Sequence, residues 1–181
     1  MALEENLEPM ITFLDLDGVI VDFYGAVSKE LGFTTTFEHD ALYSYFGNDE
    51  AKVKNYLHSL SADWWASIPK FEWADDLIDL ATSYGEIAYL SSPGHYPNAG
   101  AGKILFAKHV LNTEHLILAK TKSLIAAPKR VLIDDTPYNC AAFKKAGGDS
   151  YLWPSSTDLR NSPSLLKTTF KEVQILLDLY Q

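Results

Sequence analysis

Residues 11–16, 86–90, 116–118 and 131–133 form four short apolar stretches, each closed by turn or polar residues and separated from the next by sequence of helical pattern. Runs this short and this apolar suit strands buried on both faces. A fifth, over residues 150–153, follows Gly147 and Gly148, which suit a helix end. Strands alternating with helices imply an α/β fold: a doubly wound parallel sheet with helices on both faces. In such a sheet ligands bind beyond the carboxyl ends of the strands. The polar residues that close each stretch are therefore the first place to look for chemistry.

The first two strands are separated by far more chain than one crossover helix needs, and residues 23–72 carry helical patterns of their own. This segment reads as a small helical insertion. Its helices are expected to start near Glu38 and Asn48, with Gly47 between them and Ile68-Pro69 closing the second. Residues 74–83 return the chain to the sheet, which leaves 1–22 and 73–181 as the core domain. A turn-rich stretch, 154–163, leads into an amphipathic helix over 164–179 whose inward stripe is Leu165, Leu166, Phe170, Val173 and Leu177.

Composition narrows the partners. A chain of 181 residues with 47% hydrophobic content buries a sizeable core, which excludes disorder as the dominant state. A formal net charge of -9 repels polyanions, so polymeric nucleic acid is not an expected partner. A small phosphorylated metabolite remains admissible, because a local cation reverses the potential within one pocket. A single cysteine, Cys140, permits neither an internal disulfide nor a cysteine-based zinc site. Residues 1–10 are acidic without the pattern of a signal peptide, and no run is long enough to cross a bilayer. The expectation is a cytoplasmic protein with no membrane partner, and a homodimer is left open alongside a monomer.

Each strand end taken singly has an ordinary explanation. Asp15-Leu16-Asp17-Gly18 can be an acidic turn, although its i, i+2 carboxylates share one face of an extended chain. A calcium loop fits poorly, since glycine is fourth and Val19 to Val21 are apolar. Asp134-Asp135-Thr136-Pro137 can cap a helix that opens on proline. Ser91-Ser92-Pro93-Gly94 can shape a turn, and Lys120-Thr121-Lys122 can be solvated surface. Together they bring two acidic pairs, a hydroxyl pair and a lysine pair to one end of one sheet. Like charges at about 4 Å repel by about 4 kcal/mol at an effective dielectric near 20. A hard divalent cation relieves that repulsion, and Mg²⁺ is the usual choice beside phosphate. A carboxylate can then attack phosphorus, a second can protonate the leaving oxygen, and hydroxyl, lysine and metal hold the transferring charge.

These residues resemble the motifs of phosphatases of the haloacid dehalogenase superfamily: Asp15-Leu16-Asp17-Gly18-Val19, then Ser91, then lysine, then Ile133-Asp134-Asp135, in order across nearly the whole chain. Within that superfamily the sequence is most similar to the 5'(3')-deoxyribonucleotidases. The extended opening through Ile20-Val21-Asp22-Phe23, Ser91-Ser92-Pro93, Lys103 with Phe106, and Leu118-Ala119-Lys120-Thr121-Lys122 carry that similarity. The resemblance implies a Rossmann-like core and a Mg²⁺-dependent phosphomonoesterase acting on nucleoside monophosphates through an aspartyl-phosphate. Asp15 would be the nucleophile and Asp17 the general acid and then base, its main-chain carbonyl helping to hold Mg²⁺. Asp135 would be the direct carboxylate ligand with Asp134 beside it. Ser91, Ser92 and Lys122 would grip the phosphate, Lys122 being preferred to Lys120. The family often has threonine where Ser91 stands, and the stretch 94–102 reads as a loop richer in glycine than its pattern.

The insertion resembles the small helical cap that closes over the site in this superfamily and excludes water. Phe23 stands where the deoxyribonucleotidases place a ring near the base, and Trp64 or Trp65 would form the opposite wall; Lys103 is a further substrate contact. The five histidines show no ligand spacing, and Cys140 suits packing better than reactivity. Two alternatives stand beside the nucleotidase. One keeps the chemistry on a sugar phosphate or other small phosphoester. The other is a phospho-acceptor signalling domain without turnover, which the order of elements disfavours because such domains lack the second acid and the large insertion after strand one.

Overall fold

The computed structural model describes residues 9–35 and 39–181. The helix start expected near Glu38, and the acidic stretch up to residue 8, lie outside the described residues. Strand β1 (Ile11–Leu14) leads into helices α1 (Phe23–Glu30), α2 (His39–Tyr45), α3 (Glu50–Ser59), α4 (Ala62–Ala66) and α5 (Ala74–Tyr84). Then come β2 (Glu86–Ser91), α6 (Pro97–His109), β3 (Leu116–Leu118), a 3-10 turn (Lys122–Ile125), β4 (Arg130–Asp134) and α7 (Pro137–Lys145). The chain ends in β5 (Asp149–Leu152), α8 (Ser156–Asn161) and α9 (Pro163–Asp178).

Among the described residues the strands form one five-stranded sheet, ordered β3-β2-β1-β4-β5, with every neighbouring pair parallel. The chain steps outward from β1 to β2 and β3, then returns to lay β4 on the other side of β1. That reversal makes the carboxyl ends of β1 and β4 the point where a crevice opens. Alternation along the strands feeds two faces. Leu14, Val131 and Ile133 belong to a core shared with Leu77 and Ala81 of α5 and Val173 and Leu177 of α9. On the opposite face Phe13, Leu90 and Leu132 meet Phe143 of α7. Burying each large side chain of this kind contributes roughly 1.5–3 kcal/mol. In α9, Leu165 and Leu166 are only half-buried while Thr169 is fully enclosed, so the inward stripe is shifted from the sequence expectation.

The departures from expectation have local causes. Strand β1 stops at Leu14 rather than Leu16, because the Leu16 carbonyl accepts the N–H groups of Val19, Ile20 and Val21 at 3.3, 2.9 and 2.8 Å and curls the chain. Helix α3 begins at Glu50, capped by Asp49, since Gly47 and Asn48 both take positive φ. Helix α1, not anticipated, starts directly after Asp22, which caps it by accepting from the Gly25 N–H. Helix α8 interrupts the turn-rich stretch; Ser155 accepts from the Asp158 N–H and donates to the Asp158 carboxylate. Residues 97–102 are the start of α6 and not a loop, with Pro97 in its first turn. The two connections to the helical insertion run side by side: Val21 forms an antiparallel bridge with Lys70, the Asp22 N–H donates to the Pro69 carbonyl, and the Phe71 N–H donates to the Ile20 carbonyl, both at 2.9 Å. Among the described residues no helix is long and apolar enough to cross a membrane.

Helix α4 packs on α6 at Gly102, where a Cβ would collide with the Trp65 side chain and with the backbone of α4 at Ala62. Backbone cannot yield as a side-chain tip can. Gly102→Ala should therefore cost about 1–3 kcal/mol despite the better helix propensity of alanine. Chemical denaturation checks this; an unchanged midpoint would mean that the two helices do not approach so closely.

Candidate active site

The site is assembled at the carboxyl ends of β1, β2 and β4. Asp15 directly follows β1 and is 6% exposed, and Asp134 ends β4 with no exposure at all. Carboxylate oxygens of Asp15, Asp134 and Asp135 lie within 4.8 Å of one another. Gly18, at φ 83, lets the first loop turn against Asp135, whose carboxylate occupies the space a Cβ would need. Trp73 anchors the same loop by donating from Nε1 to the Val19 carbonyl at 3.1 Å.

Lys122 is 3% exposed and bridges the cluster, 2.7 Å from Asp15 Oδ1 and 2.6 Å from Asp134 Oδ2, whereas Lys120 is exposed. Asp134 also accepts from the Thr136 N–H at 2.8 Å and from the Asn139 side-chain amide at 3.1 and 3.2 Å. Its role is thus to hold Lys122 and the start of α7. Asp135 accepts from the Thr136 hydroxyl at 3.2 Å. Asn139 was not anticipated; the only signal for it was an amide in the first turn of a helix that opens just after the acidic pair.

One lysine does not neutralise three neighbouring acids. Burial pushes the Asp15 carboxyl up to about 6, with Lys122 opposing and Asp134 and Asp17 reinforcing the rise. Burial likewise pushes Asp135 up to about 7, helped by Asp15 and Asp134. Burial works against the charge of Lys122, but Asp15 and Asp134 outweigh it and raise its pKa. The donor set is all oxygen and carries excess negative charge, which fits a hard divalent cation held by Asp15 and Asp135.

Asp17 is not part of that cluster. Its carboxylate Oδ2 is 2.5 Å from the buried Lys103 Nζ, while its Oδ1 is buried without a partner. Lys103, on α6, also donates to the Ser91 hydroxyl at 3.0 Å and the Ser92 carbonyl at 2.7 Å. The Ser92 hydroxyl accepts from the Gly94 N–H at 3.2 Å, so it shapes the turn. Asp17, Ser92 and Lys103 close one end of a cavity of about 230 Å³ whose other walls include Phe23, Leu42, Tyr43, Leu57, Trp65 and Tyr96. Phe23 and Trp65 stack on each other, centroids 5.3 Å apart at 12°, so they form one wall and not two opposed ones. Trp64 does not reach this cavity: its Nε1 donates to Glu30 at 3.2 Å and it lines a separate groove with Asp22 and Pro69. Helical geometry requires this, because adjacent residues of α4 point about 100° apart. Cys140 is buried and donates to the Asp134 carbonyl, as a packed thiol does.

The same architecture occurs in known structures. A crystal structure described as a predicted phosphatase from Clostridium acetobutylicum superposes with a TM-score of 0.51 at 14% identity, covering 92% of this chain and 99% of that one. At that identity the likeness shows a shared fold. A HAD family hydrolase from Deinococcus radiodurans, with bound phosphate and sodium, gives 0.47 at 17% identity over 77% of this chain and 78% of its own. A HAD family enzyme from Bacteroides thetaiotaomicron, a magnesium complex, gives 0.45 at 18% identity over 81% and 94%. No protein-family model matches the chain, and no curated protein matches it.

The raised carboxyl values set a pH dependence. An unfolded aspartate ionises near pH 3.8, and the folded Asp15 and Asp135 ionise only near 6 and 7. The folded state therefore binds more protons across that window, and these two groups lose it stability as pH rises from about 4 to 7. In chelated protein, Asp135→Asn should raise Tm relative to the unsubstituted chain at pH 8, raise it by clearly less at pH 5, and leave it nearly unchanged only below about pH 4. Thermal melts at each pH check this; an equal shift at all of them would contradict the crowding of acids.

Proposed function

We propose that this chain is a Mg²⁺-dependent phosphomonoesterase of the haloacid dehalogenase type that dephosphorylates nucleoside monophosphates, as 5'(3')-deoxyribonucleotidases do. The observation that carries the proposal is the meeting of Asp15, Asp134, Asp135 and Lys122 beside a cavity that Asp17 and Lys103 close. Residues 23–72 act as the cap over that cavity, with 1–22 and 73–181 as the catalytic core.

The chemistry follows from the contacts. Asp15 Oδ1 accepts from the Leu16 N–H at 2.8 Å and from Lys122, which leaves Oδ2 to attack phosphorus. As the bond from Asp15 to phosphorus forms, the bond to the leaving oxygen breaks and that oxygen takes a proton from Asp17. The leaving oxygen supplies the partner that buried Asp17 Oδ1 lacks. Asp17 then takes a proton from water, whose oxygen attacks phosphorus and releases inorganic phosphate and free Asp15. Lys122, Lys103 and Ser91 stabilise the charge on the transferring group. When bound to Asp15 and Asp135, Mg²⁺ supplies the positive charge that lets these acids and a phosphate dianion share one site.

The walls of the cavity support a nucleoside over a sugar. Leu42, Leu57, Trp65 and Tyr96 offer apolar and aromatic surface on which a base can lie.

A panel of deoxyribonucleotides, ribonucleotides and sugar phosphates tests the assignment. Nucleoside monophosphates should be preferred, EDTA should silence turnover, and Mg²⁺ should restore it. Preference for sugar phosphates would remove the nucleotidase assignment, and a stable phosphoenzyme without turnover would remove the hydrolase. Asp15→Asn should lower kcat by at least ~10⁴-fold with an unchanged circular dichroism spectrum, since an amide is a poor nucleophile.

A further inference from the structure

Arg160, on α8 near the C-terminal end of the chain, reaches both connections of the helical insertion. Its Nη2 is 2.7 Å from Asp22 Oδ2, on the outgoing connection, and its Nε is 3.4 Å from Glu72, on the returning one. Its guanidinium lies 5.1 Å from the centroid of the Phe71 ring. Asp22 is 7% exposed and uses its two oxygens for different tasks: Oδ1 caps α1 and Oδ2 receives Arg160. The next residue, Phe23, is the first ring of the cavity wall and stacks on Trp65. A planar, five-donor cation suits this triple contact, and a lysine would not reproduce it.

We propose that Arg160 is a positioning residue: it clasps the paired connections through Asp22, Glu72 and Phe71, and so sets the angle at which Phe23 and α1 are presented over the Asp17 and Lys103 end of the cavity. This rests on the phosphatase reading for its consequence in turnover, but not for the clasp itself. A substrate whose leaving group fills the cavity depends on that angle, and one whose leaving group is as small as acetate does not. Misplacement of a bound group by about 1 Å costs up to ~100-fold in rate. The clasp also explains why a segment so far along the chain, 138 residues beyond Asp22, packs against the start of α1.

The test compares the full chain with Arg160→Gln, and with Asp22→Asn, which keeps an oxygen to cap α1 while losing the charge pair. Hydrogen exchange, read at the Asp22 and Phe71 amides, should accelerate about tenfold in each variant while β1 and β4 stay protected. In turnover, kcat/KM for a nucleoside monophosphate should fall about tenfold while that for acetyl phosphate changes less than twofold. Arg160→Lys should recover only part of either effect. Unchanged exchange at the two amides in both variants would overturn the clasp. Faster exchange with equal losses on both substrates would overturn the positioning role and leave a merely structural one. A wild-type chain that hydrolyses no phosphoester would end the phosphatase reading, with the exchange result still deciding the clasp.

Discussion

The structure depends on crowding acids at the seam between β1 and β4. Oxygens of three carboxylates lie within 4.8 Å of one another, two of the three residues almost fully buried, and among the described residues Lys122 is the one cation paired with Asp15 and Asp134. Nothing in the stability of the sheet calls for such an arrangement, because buried ion pairs often stabilise less than apolar residues of the same volume would. The arrangement makes sense where a cation and an anion are to be held at once. The sheet absorbs the strain: β1 and β4 are flanked on both sides and pack into two apolar cores, so their ends cannot spread to relieve the repulsion.

A division of labour follows from the geometry. Asp134, ringed by Lys122, Thr136 and Asn139, keeps its neighbours in place, while Asp135 faces the Gly18 loop. Asp17 is paired with Lys103 at one end of the cavity and lies outside the cluster of the other three acids. Two lysines therefore serve two acidic groups. Lys122, from the turn after β3, bridges Asp15 and Asp134; Lys103, from α6, pairs with Asp17.

Much of this was legible in the sequence because the signals were local. Short apolar runs closed by polar residues revealed the five strands to within two residues at each end, and the acids that close β1 and β4 come together. The choice of Lys122 over Lys120 rested on resemblance, and burial separates the two plainly. What the sequence concealed is what only tertiary contact decides. The facing of α4 sends Trp65 inward and Trp64 outward. Residues 97–102 read as a glycine-rich loop because the reason for Gly102, the nearness of α4, lies some forty residues upstream. Arg160 was one basic residue in a turn-rich stretch until Asp22 came to lie beside it.

The insertion leaves the core and rejoins it at one place, where Val21 pairs with Lys70. A segment with adjoining ends carries most of its own closure entropy, so lengthening or exchanging it leaves the register between β1 and β4 untouched. A chain built in this way can have some fifty residues rewritten while the meeting of acids at the seam of β1 and β4 is inherited unaltered.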